Sequence, residues 1–335
     1  MDPTRRVVGI DIGGTFGTGM RGALVSGDGS LIARKDGITP RTSQDDLIEA
    51  IATMVSRLAE ISQRDGMPIS AVGIAVPGLV EEAAGMVHRS PNLKLQDVPL
   101  GQLLHDRLRL PVFLMHDASA GALAEYAVGV GRGVADMLLV VTGVGVGSAV
   151  ITGGRVLRGA HGAAGEIGHI SIDPAGMICG CGGRGCVETY ASETSIARRY
   201  TMLAKEAILP EEVIAKAAEG NPAAVRVWSE ALGALAAVIA TAVALIDCDL
   251  VVLSGTLGIT SGALAPLGSL LAKRINLVQL PRIEVGALGG LAGVIGAAAV
   301  AFERGGVGHA TREWREASRM PAGLADLAME PQASS

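Results

Sequence analysis

Three of the chain's four cysteines fall within EIGHISIDPAGMICGCGGRGCVET, residues 166–189, beside His169 and two carboxylates, Glu166 and Glu188. Three chemistries use such a set: a redox centre, a metal site, or a substrate pocket that borrows a metal for support. Cys179, Cys181 and Cys186 are spaced C-x-C-x4-C, and the glycines between them let the chain fold tightly enough for three sulfurs to converge. The redox reading needs a C-x-x-C and a paired partner, and neither is present. A disulfide from Cys179 to Cys181 would be strained. His169 offers a fourth donor, and Cys3His is a closed tetrahedral set of the structural-zinc type, with no open position for catalysis. Cys248 lies alone in an apolar segment and reads as a small core residue.

A second set of residues could handle phosphate. RRVVGIDIGGT is a short apolar run ending in Gly-Gly-Thr, which reads as a strand and a tight turn. Such a turn lets backbone N–H groups approach a phosphate without interference from Cβ. Asp11 precedes the glycines, where a carboxylate could hold a hydrated Mg²⁺. Thr15 and Thr142 offer hydroxyl donors. The plain alternative is an ordinary tight turn, but two turns with Thr, one beside a carboxylate, favour phosphate binding. No GxxxxGK[ST] occurs, and GVGVGS (143–148) falls in a hairpin rather than before a helix, so neither a P-loop nor a dinucleotide fingerprint is read. In VFLMHDASAGALAEY, Asp117 stands where an apolar strand gives way to a helix. It is either an N-cap or a general base for a substrate hydroxyl, and composition alone leaves both open.

These residues need elements to hold them. GALVS and SLIARK read as antiparallel strands joined by GDG. From Gln44 to Gln63 the apolar spacing is helical, capped by Ser43 or Asp45. AVGIAVPG is a buried strand stopped by Pro77-Gly78, MLLVVTGVGVGSAVITGGRVL two strands joined by a glycine-rich turn, and VVLSGTLG a third strand and turn. ALGGLAGVIGAAAVA reads as a small-residue helix. The recurrence of strand and Gly/Thr turn at Asp11, Thr142 and Gly255 suggests two related α/β halves facing one cleft. The stretch after Arg304 is polar and loosely patterned, and MEPQASS reads as disordered.

Bulk composition agrees. At 335 residues the chain suggests about two domains. Nearly half of it is hydrophobic (49%) but only 2% is aromatic, so the core must be built of Val, Leu, Ile and Ala, as in buried parallel sheets. A net charge of −5 offers no basic field for nucleic acid. The apolar run Ala231–Ile246 is too short and small-residued for a membrane span and reads as a buried helix. No secretory signal is read in MDPTRR. A soluble cytoplasmic protein is expected.

The motifs together resemble a known family. IDIGGT at 10–15, Pro77-Gly78, Pro91-Asn92-Leu93, the strand-end Asp117, Thr142-Gly143, and above all E-x-G-H (166–169) with C-x-C-G-x-x-G-C-x-E (179–188) are similar to the ROK family of repressors, uncharacterised reading frames and sugar kinases. The resemblance runs from about residue 7 to residue 300. It implies an actin-like, hexokinase-type (ribonuclease H-like) fold, two α/β domains closing over sugar and ATP. Residues 1–117 would form the smaller domain, joined by a helix near 290–304, and 118–290 the larger, with a zinc loop at 166–188. Residues 305–335 would be a polar, partly disordered tail. The resemblance implies Asp117 as the base; Asp11, Gly13, Gly14 and Thr15 as the first phosphate turn, with Mg²⁺ nearby; Thr142 and Gly143 as the second; and Gly255 near the adenosine. Gly78, Asn92, His116, Glu166, His169 and Glu188 would line the sugar, with His169 also on zinc together with Cys179, Cys181 and Cys186.

Three positions depart from that pattern. His116 replaces the usual Asn, Phe16 the usual Lys, and Ser254-Gly255-Thr256 stands where three glycines are common. The expected activity is ATP-dependent phosphorylation of a hexose, glucose by default, at a primary 6-hydroxyl. His116 keeps amino sugars, N-acyl sugars and C7-cyclitols in view, and polyphosphate as donor stays open. A repressor would carry a winged helix before the first turn, where only about six residues stand here. A non-catalytic sugar sensor would not need Asp117. A homodimer or homotetramer is expected, with no nucleic-acid or membrane partner.

Overall fold

The computed structural model describes residues 2–13, 19–255, 263–317 and 321–323. The chain divides into two compact units: residues through Gly133 with Arg158–Ala164 and residues from Ala287 onward, and Val134–Leu157 with Gly165–Gly286.

The first unit is built on strands β1 (Arg6–Ile12), β2 (Gly19–Ser26), β3 (Leu31–Ile38), β4 (Ile69–Val76) and β8 (Val112–His116), in the order β3-β2-β1-β4-β8. β1 pairs antiparallel with β2 and parallel with β4. All seven β1 residues are buried, as a central strand covered on both faces requires. Helix α1 (Gln44–Arg64) starts at Ser43, whose Oγ accepts the Asp46 N–H, and buries Leu47, Ile51, Met54, Val55 and Leu58 on one face. Each such burial contributes roughly 1.5–3 kcal/mol. A separate three-stranded sheet, β5 (Leu79–Glu81), β6 (Met86–Ser90) and β7 (Leu95–Val98), is followed by α2 (Leu100–Leu108). Helix α3 (Asp117–Ala127) follows β8 and belongs to this unit.

The second unit repeats the plan. Strands β9 (Met137–Thr142), β10 (Val146–Thr152), β11 (Arg155–Val156), β12 (Leu250–Gly255) and β13 (Arg282–Val285) run in the order β11-β10-β9-β12-β13. β9 pairs antiparallel with β10 and parallel with β12, as β1 does with β2 and β4. The helices are α4 (Glu188–Ala191), α5 (Glu193–Ala204), α6 (Pro210–Ala218), α7 (Pro222–Ile246) and α8 (Leu264–Arg274). α7 corrects the sequence reading of its length. At 25 residues it is long and apolar enough to cross a membrane by length and composition. Asn221 caps it by accepting the Ala223 and Ala224 N–H groups, a start hidden by the polar Arg226 and Glu230 in its first turns. Half of its apolar stretch is buried, with Val227, Ala231, Leu235, Val238, Ile239 and Val243 in the second unit's core.

Helix α9 (Ala292–Arg304) returns to the first unit and explains its small residues by contact. A Cβ on Gly73 of β4 would lie 1.8 Å from Ala297 O, and one on Gly296 would lie 1.9 Å from Ala120 O of α3. Strand, helix and helix therefore pack at backbone distance. Glu125 of α3 is wholly buried and accepts three backbone N–H groups, from Val130, Ala287 and Leu288, at 3.2, 3.2 and 2.9 Å. Within the stretch expected to be a polar, partly disordered tail stands α10 (Ala310–Glu316). Trp314 is buried, donates Nε1–H to Gly27 O at 2.8 Å, and packs edge-on to Phe302.

Candidate functional site

In the first unit, β1 and the β8–α3 junction bring two carboxylates into one electrostatic neighbourhood. The structure makes His116 the cap position of α3 and Asp117 its first helical residue, which corrects the N-cap reading of Asp117. Asp117 Oδ1 accepts the Ala118 N–H at 2.7 Å and lies 3.1 Å from His116 Nε2. Both contacts fall on one oxygen, with Ala118 N–H its hydrogen-bond donor, while Oδ2 carries no hydrogen bond among the described residues. The Asp117 side chain is 33% exposed and that of His116 12%. The helix N-terminus favours the anion.

Asp11 lies near the end of β1, opposite Arg21 of β2. Its Oδ1 is buried with no hydrogen-bond partner. A Cβ on Gly293 of α9 would stand 2.5 Å from its Oδ2, so that glycine leaves room for the carboxylate. Burial, and after it the charge of Asp117, push the Asp11 carboxyl up to about 7, against a smaller opposing pull from Arg21. An orphaned, buried carboxylate oxygen beside a second carboxylate suits a hard divalent cation such as Mg²⁺.

Gly13 follows in the left-handed region (φ +82°), with Leu93 of the Pro91–Leu93 turn 3.9 Å from where its Cβ would be. Asn92 is exposed on that turn. Gly78 (φ +106°) closes β4 against Arg89 O, where a Cβ would come within 2.2 Å. Gly14, Thr15, Phe16 and Thr256 lie outside the described residues.

In the second unit, Thr142 and Gly255 are register neighbours at the ends of β9 and β12. A Cβ on Gly255 would lie 1.8 Å from Thr142 O, so the strands meet there at a distance only glycine permits. Gly143 N–H donates to Gly145 O at 2.9 Å and closes the β9–β10 turn. Sequence reasoning missed what holds this turn. Glu193 N–H donates to Gly143 O at 2.8 Å, and Thr194 Oγ1 donates to Val144 O at 3.3 Å. The signal was the Ser192-x-x-Ser195 spacing, for Ser192 Oγ accepts the Ser195 N–H and starts α5. Burial, with Glu211 nearby, raises the Glu193 carboxyl to about 7.

The donor atoms of His169, Cys179, Cys181 and Cys186 all lie within 4.8 Å of one another. His169 Nδ1 is 3.6 Å from Cys179 Sγ, and Cys181 Sγ is 3.7 Å from Cys186 Sγ. Tetrahedral zinc with ordinary bond lengths sets such edges at about 3.6–3.8 Å. The donor chemistry and spacing therefore fit zinc. All four cysteines are free thiols. Burial pushes the Cys186 thiol up to about 12, while the Gly183 N–H draws Cys181 below its usual value. The other ring nitrogen of His169, Nε2, faces Glu166 Oε2 at 3.9 Å. Glu188 Oε1 is 3.7 Å from Cys179 Sγ, and its Oε2 accepts the Val146 N–H at 3.1 Å. His169, Glu166 and Glu188 thus share one neighbourhood.

Two sheets of shared strand order, each ending in a glycine turn, define a protein of the actin-like ATPase fold. The chain belongs to the ROK family, which it matches over residues 7–304. It is 36% identical over 275 residues to an N-acetylmannosamine kinase of Citrobacter koseri, covering 81% of this chain and 90% of that one. A ROK glucokinase of Streptomyces griseus, solved with glucose and AMPPNP, superposes with a TM-score of 0.77 at 28% identity over 88% of this chain and 99% of that one. A putative xylose repressor of Caldicellulosiruptor is 34% identical over 208 residues, 62% of this chain and 51% of that protein.

Proposed function

We propose that the protein is a cytoplasmic carbohydrate kinase that transfers the γ-phosphate of ATP to a sugar hydroxyl. The observation that carries this reading is Asp117, anchored through Oδ1 by Ala118 N–H, with His116 Nε2 3.1 Å from that same oxygen and Oδ2 left for a substrate. In the reaction a hydroxyl proton passes to Asp117 Oδ2 as its oxygen bonds to the γ-phosphorus. The bond to the β–γ bridging oxygen breaks, and ADP leaves with the electron pair. Gly13, Gly14, Thr15 and Thr142 present N–H and hydroxyl donors to the phosphates, Gly143 shapes the second phosphate turn, and Gly255 borders the adenosine. Asp11 would hold Mg²⁺ through water; that cation supplies neutralisation of the developing phosphate charge. Gly78, Asn92, His116, Glu166, His169 and Glu188 bind sugar hydroxyls. His169, Cys179, Cys181 and Cys186 would hold zinc, which would fix the loop and the imidazole's tautomer.

The kinship to an N-acetylmannosamine kinase supports a second substrate reading, an N-acyl amino sugar in place of glucose. Amino sugars and cyclitols belong in the same trial because His116 alters a pocket-side donor. ADP release measured with hexoses, amino sugars, N-acyl sugars, cyclitols and no acceptor separates these readings. Turnover with one class that disappears in Asp117→Asn supports the kinase. Sugar binding without Asp117-dependent turnover would favour a regulator, the role named for the xylose-repressor relative.

A further inference from the structure

Glu188 differs from the other candidate sugar residues in what it touches. Its Oε2 accepts the N–H of Val146, the residue that opens β10 and ends the β9–β10 turn. A Cβ on Gly145 would lie 2.6 Å from that same oxygen, so the turn is bare where the carboxylate enters. On its other side Glu188 is laced to the Cys3His cluster. Cys186 is two residues earlier, and its carbonyl accepts both the N–H and the Oγ1–H of Thr189 at 2.9 and 2.7 Å. Val187 N–H donates to Ile170 O at 3.1 Å, one residue beyond His169. Cys179 Sγ lies 3.7 Å from Glu188 Oε1. The segment from Cys186 to Thr194 therefore carries a cluster ligand at one end. Along its length it holds Val146, Gly143 and Val144 of the turn.

We propose that Glu188 is a positioning residue that couples the Cys3His cluster to the glycine turn after β9. Holding the cluster together holds the turn's N–H groups in place. The catalytic consequence rests on the kinase reading, because that turn is the proposed phosphate grip, but the coupling itself does not. By linkage it runs both ways: the turn, once opened, must hold the cluster's ion more weakly than when closed, by the factor with which the ion favours closure.

Hydrogen exchange on the full chain tests this, comparing protein carrying one zinc with protein stripped by a chelator. In the wild type, stripping should speed exchange of the amides at 143–147 by about tenfold or more, the signature of a loosened local opening equilibrium. In Glu188→Ala those amides should exchange fast while zinc is still bound, and stripping should add less than about twofold. Glu188→Gln, whose amide oxygen still accepts the Val146 N–H, should fall near the wild type. Gly145→Ala disturbs the contact from the turn's side and should lower zinc affinity by about threefold or more in chelator competition. Zinc-loaded Glu188→Ala with wild-type exchange at 143–147, or Gly145→Ala with unchanged zinc affinity, overturns the proposal. Neither readout uses phosphoryl transfer. Asp117-dependent turnover without the coupling sinks this inference alone, and coupling without turnover sinks the kinase reading alone.

Discussion

His116 Nε2 and Asp117 Oδ1 stand 3.1 Å apart, and the same oxygen accepts the Ala118 N–H at 2.7 Å. The imidazole of His116 thus stands against the proposed base as well as bordering the proposed sugar site. His116→Ala should leave folding intact and lower kcat by about ten- to a hundredfold, because the carboxylate loses the imidazole packed 3.1 Å from its Oδ1. His116→Gln, which can present an N–H near the same point, should recover most of that loss. Steady-state kinetics with the best acceptor reads both.

Asp11 predicts a pH dependence of stability. Its carboxyl is raised to about 7, so between about pH 4 and pH 7 the folded chain keeps a proton that the unfolded chain has released. Stability must therefore fall as pH rises through that window and level off above it. In urea titrations without divalent cations, the wild type should lose about 2–4 kcal/mol between pH 4.5 and pH 8 relative to Asp11→Asn. Millimolar Mg²⁺ at pH 8 should restore part of this to the wild type and nothing to the variant.

Glu125 predicts a cost confined to folding. Removing its carboxylate leaves the N–H groups of Val130, Ala287 and Leu288 without an acceptor. Glu125→Ala should cost about 2–4 kcal/mol in urea denaturation. Gly129→Ala should cost a comparable amount, because its Cβ would come 1.9 Å from Glu125 Oε2.

The cysteine cluster predicts about one zinc per purified chain by elemental analysis. Cys181→Ser and Cys186→Ser should each lose most of it and lower the melting temperature. Cys248→Ser, outside the cluster, should keep it. A zinc content below about a tenth per intact chain would sink the assignment.

The sequence carried the central strands plainly. β1, β4, β9 and β12 are mostly apolar runs of Val, Ile, Leu and Ala leading into glycine turns, and such runs admit few other readings. The Cys3His spacing was equally legible, because ligand geometry constrains sequence distance. What stayed hidden depends on contacts between distant residues. Trp314 is one aromatic in a polar stretch, and contacts to distant residues, among them its bond to Gly27 O 287 residues away and Arg315's to Tyr126 O, make α10 part of the first unit. Glu125 looks like a surface residue of an alanine-rich helix until the chain near Ala287 arrives to cover it. The three strands of the small sheet, Leu79–Val98, are too short to show alternation. Glu188 was readable as a polar residue of the loop, but its bond to Val146, 42 residues earlier, was not.

The central claim is that Asp117 takes the proton of a sugar hydroxyl as phosphate is transferred. The most direct measurement follows γ-labelled ATP in a single turnover with the best acceptor, and identifies the labelled product by phosphorus NMR. Wild type should form one sugar phosphate ester. Folded Asp117→Asn, binding ATP and sugar as before, should form it at least about a thousandfold more slowly. Transfer by Asp117→Asn within about tenfold of the wild type would contradict the account, as would label released only as inorganic phosphate.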